Sequence, residues 1–170
     1  MNIFKNLLKH SETMPNPPAP RPVANNAPAA SSKAKKYKVA GVTHYEKSIL
    51  KFAQPNPLYS KSAKEIIAAK QYNTNIYQYC FAAQATQLIP EPSNPHDPNA
   101  IKVIIGGEHV GYIKAGSCKH ILNLIAENRI ERIDSVIKGG KFINVWYDGS
   151  DQKIEKGNTN FGIEVLIMER

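Results

Sequence analysis

The chain is poor in the features that would assign it to an obvious class. Its 170 residues hold two cysteines and one tryptophan. Cys80 and Cys118 show neither close metal-ligand spacing nor a disulfide framework, which fits a reducing cytoplasmic setting and buried structural thiols. No apolar run is long enough to span a membrane. The phosphate-cradling motif of ATP-driven motors is missing too, since Gly139-Gly140-Lys141 is followed by Phe142. No catalytic residue, metal set or cofactor is assigned. Acidic residues are scarce near the N-terminus. Residues 1–38 hold seven of the 22 Lys and Arg and one of the 14 Asp and Glu, leaving 15 bases against 13 acids in the remainder. The net charge of +8 therefore lives mainly in the tail, where Lys33, Lys35, Lys36 and Lys38 are candidates for electrostatic contact with a nucleic-acid backbone.

Large apolar groups are also thin in the tail. From Ser11 to Ser32 the chain is rich in Pro, Ala and Asn, so it cannot offset the entropy of ordering. Three regions follow: a short amphipathic peptide at 1–10, a disordered Pro/Ala-rich linker with a basic end at 11–36, and a folded domain at 37–170. In the first, Ile3, Phe4, Leu7 and Leu8 have helical spacing, but a helix this short needs a protein partner or a surface. Lys5 and Lys9 interrupt it, so it does not read as a signal peptide.

The richest stretch is Glu91-Pro92-Ser93-Asn94-Pro95-His96-Asp97-Pro98-Asn99-Ala100, with the strand-like Ile101-Lys102-Val103 after it and His109-Val110-Gly111-Tyr112-Ile113-Lys114 close behind. Three prolines in seven residues exclude a helix and dictate a stiff loop. That loop presents an amide, an imidazole and a carboxylate from a rigid rim. Around it, Val39–Val42, Ile76–Ala82, Ala85–Ile89, Ile101–Ile105, His109–Ile113, Ile130–Lys138, Lys141–Tyr147 and Phe161–Met168 read as strands. Gly106-Gly107 and Gly139-Gly140 are the expected turns. Helices are expected from Ser60, as N-cap, to Lys70 and over Ser117–Asn128. The expected fold is mainly β with two helices (α+β), a small, partly open OB/SH3-like β-barrel.

The loop and the Gly-Tyr-Ile-Lys segment together resemble the HIRAN domain, whose hallmark is an acidic-Pro-x-Asn-Pro-aromatic-Asp-x-Asn-Ala-Ile-x-Val run followed by a Val-Gly-Tyr or Val-Gly-His turn. Val39-Ala40-Gly41-Val42 matches its first strand. The resemblance implies a non-enzymatic module that grips single-stranded DNA at a free 3′-hydroxyl end in repair or replication-type processing. It assigns Asp97 as acceptor for the hydroxyl, Asn94 to a phosphate or base edge, His96 and Tyr112 to stacking, Lys114 to phosphate, and His44 with Tyr45 to the polar-aromatic position after the first strand. Two departures weaken the match: Thr43 stands where helicase relatives carry arginine, and His96 where they carry tyrosine. Two other functions compete. A protein-interaction accessory module would keep the barrel without binding DNA, and a metal-dependent nuclease would use His96, Asp97 and His44 or His109.

Overall fold

The computed structural model describes residues 34–170. In chain order come β1 (Ala34–Ala40), a 3₁₀ turn (Val42–Tyr45), α1 (Glu46–Leu50), β2 (Ala53–Pro55), a second 3₁₀ turn (Pro57–Ser60), α2 (Ala63–Ala68), β3 (Asn75–Tyr77) and β4 (Tyr79–Phe81). Then follow β5 (Thr86–Pro90), β6 (Ile101–Ile105), β7 (Glu108–Ile113), α3 (Ala115–Ala126), β8 (Ile130–Tyr147) and β9 (Gln152–Glu169). Seven strands form an antiparallel sheet in the order β3-β8-β9-β1-β7-β6-β5, and β2 pairs with β4 apart from it.

The long hairpin of β8 and β9 belongs to two layers. The first half of β8 and second half of β9 continue through β1, β7, β6 and β5 around a core that includes Ile101, Val103, Ile105, Val110 and Val165. Inward positions on β6 alternate with half-exposed Lys102 and Ile104, the period-two pattern of a strand with one buried face. Helix α3 seats Cys118, Ile121 and Leu124 on this core at helical spacing. No ladder joins β5 to β8 among the described residues. Thr86 Oγ1 instead donates to Ser135 Oγ at 2.8 Å, so the barrel is partly open. The distal half of the hairpin, with β3 and α2, encloses a second core of Ile66, Ile76, Ile143 and Val145.

Several expectations are corrected. The strand expected at 39–42 is β1, which starts at Ala34 and ends at Ala40, because Gly41 turns left-handed (φ 75°) into the 3₁₀ turn. The basic end of the expected linker, Lys35 and Lys36, is thus strand, paired with β9. Lys33 and the 1–10 peptide lie outside the described residues. Ser60 ends a 3₁₀ turn, and the cap of α2 is Ser62, whose hydroxyl receives the Glu65 amide while Glu65 returns to the Ser62 amide. The expected strand at 76–82 breaks at Gln78 into β3 and β4, which pair with different partners.

Gly139-Gly140 lies inside one long strand, opposite a bulge on β9, rather than at a turn. Gly139 has φ 128°, and a Cβ there would collide with the Asn160 carbonyl. The ladder slips here, because β8 advances two residues from Lys138 to Gly140 while β9 advances three from Gly162 to Thr159. Asn160 and Phe161 thus form a bulge on β9 opposite Gly139, where the hairpin passes from the barrel to the second layer. The turn comes at Asp148–Asp151, where Asp148 Oδ1 accepts the Ser150 and Asp151 amides at 2.9 and 2.8 Å. In urea denaturation, Gly139→Ala should cost about 3 kcal/mol, against about 1 kcal/mol for Gly149→Ala, which shares a positive φ but faces open space.

Candidate nucleic-acid interface

The 91–100 loop is closed by its own backbone: the Glu91 amide donates to Ala100 O at 2.8 Å, Asn94 to Glu91 O at 2.9 Å, and Ala100 to Asp97 O at 2.9 Å. Asn94 fastens the interior. Its Oδ1 accepts the amides of His96 (3.0 Å) and Asp97 (3.2 Å), and its Nδ2 donates to Glu91 Oε2 at 2.7 Å. The prolines make this efficient, since they remove donors and restrict φ where no ladder exists. The Asn94 side chain is thereby committed to holding the rim. Asp97 is half committed: Oδ1 accepts the Asn99 amide at 2.8 Å, while Oδ2 has no hydrogen-bond donor among the described residues.

Glu91 is the hub. Besides Asn94, its carboxylate accepts the Tyr112 hydroxyl at 3.0 Å and pairs with Lys102 Nζ at 2.8 Å. Lys102 first, then Asn94, hold the Glu91 carboxyl down at about 2. Burial and the bond to Glu91 push the Tyr112 hydroxyl up, so it remains a donor. The loop is therefore tied to β6 through Lys102 and to β7 through Tyr112.

Tyr112 stands beside two more rings. Tyr45 and His109 are 4.2 Å apart between centroids with planes at 46°, and His109 meets Tyr112 edge to face at 4.9 Å and 83°. Strict alternation would put residues 109 and 112 on opposite faces. A bulge corrects this: Val103 faces Gly111 but Ile104 faces His109, so Val110 and Gly111 are both buried and the flanking rings emerge together. Only glycine fits at position 111, where φ is 142° and a Cβ would lie 2.5 Å from Ala40 O and 2.7 Å from Val39 Cγ1. Burial lowers the His109 pKa, and its Nε2–H donates to the carbonyl oxygen of Gly111 at 3.0 Å.

Next to the rings runs a basic strip. Ala40 lies opposite Tyr112 and Val39 opposite Ile113, so Lys38 falls opposite Lys114, whose amide donates to Lys38 O at 3.1 Å. Lys36 and Lys38 share the Tyr112 face by alternation. All three lysines are exposed, and none forms an ion pair among the described residues. Lys35 points elsewhere, to Glu169 Oε1 at 2.9 Å. The structure thus joins Asn94, Asp97, Tyr112, Tyr45, Lys38 and Lys114 in one neighbourhood. His44 and His96 are exposed and enter no aromatic pair. Among the described residues no three His, Cys, Asp or Glu side chains converge on a metal position, so the set proposed for a nuclease is not assembled.

The family match falls on this ground. Residues 64–146 match the HIRAN domain. The chain carries a HIRAN domain. The crystal structure of the HIRAN domain of human HLTF is similar at 15% identity, covering 81% of this chain and 77% of that one, with a TM-score of 0.38. No curated protein matches. Within the HIRAN region, the sequence reading gave Glu91 and Lys102 no contact of their own and offered His109 only as an alternative metal ligand. Glu91 opens the proline run and could have been paired with Asn94 three residues on. The roles of Lys102 and His109 depend on cross-strand register and on the bulge, which composition does not reveal.

Glu91 gives a pH test with a definite sign. Its folded pKa lies below the ordinary 4.5, so its stabilisation is complete above that value and is lost as pH falls toward about 2. Glu91→Gln should melt below wild type at pH 7. Thermal melts from pH 7 to 2 should show the gap closing below about pH 4.5; a constant gap would mean the carboxylate charge is irrelevant to the loop.

Proposed function

We propose that this HIRAN domain binds single-stranded DNA across the Tyr45–His109–Tyr112 rings and recognises a free 3′-hydroxyl end at Asp97, as a non-enzymatic module of DNA-end processing. The observation that carries this reading is the juxtaposition of the Tyr45, His109 and Tyr112 rings with the exposed Lys38 and Lys114 on neighbouring strands. Glu164 on β9 lies opposite Lys38 and offsets part of its charge, and a phosphate beside Lys38 and Lys114 would accept charge-assisted hydrogen bonds from both ammonium groups. Bases stack on aromatic faces with little regard to sequence. Glu91 does not oppose the strand electrostatically, because Lys102 already neutralises it. The spare oxygen of Asp97 is an acceptor suited to a hydroxyl and repels a terminal phosphate. Residues 34–170 hold 18 basic and 13 acidic residues, a net +5, a modest excess that favours a few defined contacts over broad electrostatic capture.

The reading is tested by fluorescence anisotropy with matched oligonucleotides. A 3′-hydroxyl end should bind about tenfold tighter than a 3′-phosphate end, the scale of one charge-assisted hydrogen bond. Asp97→Asn should remove that preference. Lys38→Ala with Lys114→Ala should instead flatten the log–log salt slope by about 1.4 and leave end preference intact. Equal binding to both ends would refute the role of Asp97; no measurable binding would favour the protein-interaction module.

A further inference from the structure

Strand β9 is covered on both edges only over its second half. β8 pairs with it from Gln152 onward, whereas β1 reaches only Glu164 to Met168. Among the described residues no strand pairs with the other edge of residues 152–162, which leaves a row of backbone donors and acceptors able to template another strand. This segment also carries Ile154, 52% exposed and opposite Val145, while Trp146, 48% exposed, lies opposite Lys153 on the other face of the hairpin. Both belong to the distal hairpin, away from the residues of the rim.

We infer that a second copy of this chain pairs with that edge, antiparallel, about a two-fold axis at Ile154. Directly opposite residues in an antiparallel pair share a face, and faces alternate along the strand. A two-fold axis between identical strands must therefore pass beside a residue, not between two. Four axis positions lie in the charged part of the edge. At Lys153 the axis sets lysine against lysine and Asp151 against Glu155; at Glu155 it sets two glutamates together; at Lys156, two lysines. At Ile154 it opposes isoleucine to isoleucine, Lys153 to Glu155 twice, and Gln152 to Lys156. That register alone among the four has no like-charge pair and matches two opposite-charge pairs.

The side chains are arranged for it. Trp146 lies opposite Lys153 across the hairpin, and its indole N–H donates to Glu155 Oε2 at 3.1 Å, which holds that carboxylate on the Lys153 face. Lys153 and Lys156 discourage indiscriminate strand addition, and Glu155 between them makes one register acceptable. The pairing is isologous and closes at two copies. It leaves the Tyr112 rim untouched and gives each assembly two of them.

Sedimentation equilibrium of the full chain between about 10 and 500 µM tests this, a range suited to an interface smaller than a standard one. Mass should double with concentration. Glu155→Lys, which opposes lysines at both pairs, should weaken the dimer about tenfold, and adding Lys153→Glu should restore it. In a Cys80→Ser background, Ile154→Cys should form a disulfide-linked dimer on mild oxidation, because a self-opposed pair brings its Cα atoms within bridging range. A chain monomeric throughout overturns the inference. So does a dimer indifferent to Glu155→Lys, or a monomer whose 152–160 amides resist hydrogen exchange, which would assign the edge to residues 1–33 of the same chain.

Discussion

The site rests on one carboxylate meeting three donors. Glu91 sits where the proline-rich loop leaves β5, and its bonds to Lys102, Asn94 and Tyr112 reach β6, the loop interior and β7. A loop without a ladder has only side chains and a few amides to fix it, and fixing each residue costs about 1–2 kcal/mol of backbone entropy. Asn94 and Asp97 supply the internal turns, but these set only the shape of the loop. Glu91 sets its position against the barrel, and so decides where Asp97 stands relative to the rings. A network of this kind specifies geometry more than it adds net stability, since its members are partly hydrated.

The second constraint is a pair of bulges. At Gly111 an extra residue on β7 turns His109 onto the face of Tyr112, and the absence of a Cβ lets β1 approach closely enough to bring Lys38 opposite Lys114. At Gly139 the missing Cβ makes room for an extra residue on β9, at Asn160-Phe161, where the hairpin leaves the barrel for a second layer. The first bulge builds a recognition surface; the second projects a hairpin whose far edge is unpaired among the described residues. Both depend on glycines that a sequence reader takes as turns or as generic flexibility.

The loop was legible because prolines, Asn and Asp act locally. The same holds for the β6–β7 hairpin at Gly106-Gly107 and for α3, whose Ile121 and Leu124 follow helical period. What failed was long-range. Gly139-Gly140 has the composition of a turn, and only the register with β9 shows it to be strand opposite a bulge at Asn160-Phe161. Lys35, Lys36 and Lys38 read as one basic cluster for contact with a nucleic-acid backbone, yet strand alternation sends Lys35 to Glu169 and the other two to the Tyr112 face. Asn94 looked like a ligand contact, and its amide proves occupied by the loop it shapes. His109 entered the sequence reading only as an alternative metal ligand, because its partnership with Tyr45 and Tyr112 exists only after a one-residue slip.

The most direct measurement is a titration of the ¹⁵N-labelled chain with a short single-stranded oligonucleotide bearing a 3′-hydroxyl, followed amide by amide. The account predicts saturable shifts centred on His96, Asp97, His109 and Tyr112 and extending to Lys38 and Lys114, with the 152–160 edge unperturbed. Shifts confined to residues 1–33, with the rim silent at saturation, would contradict it and make the barrel a carrier for a basic tail.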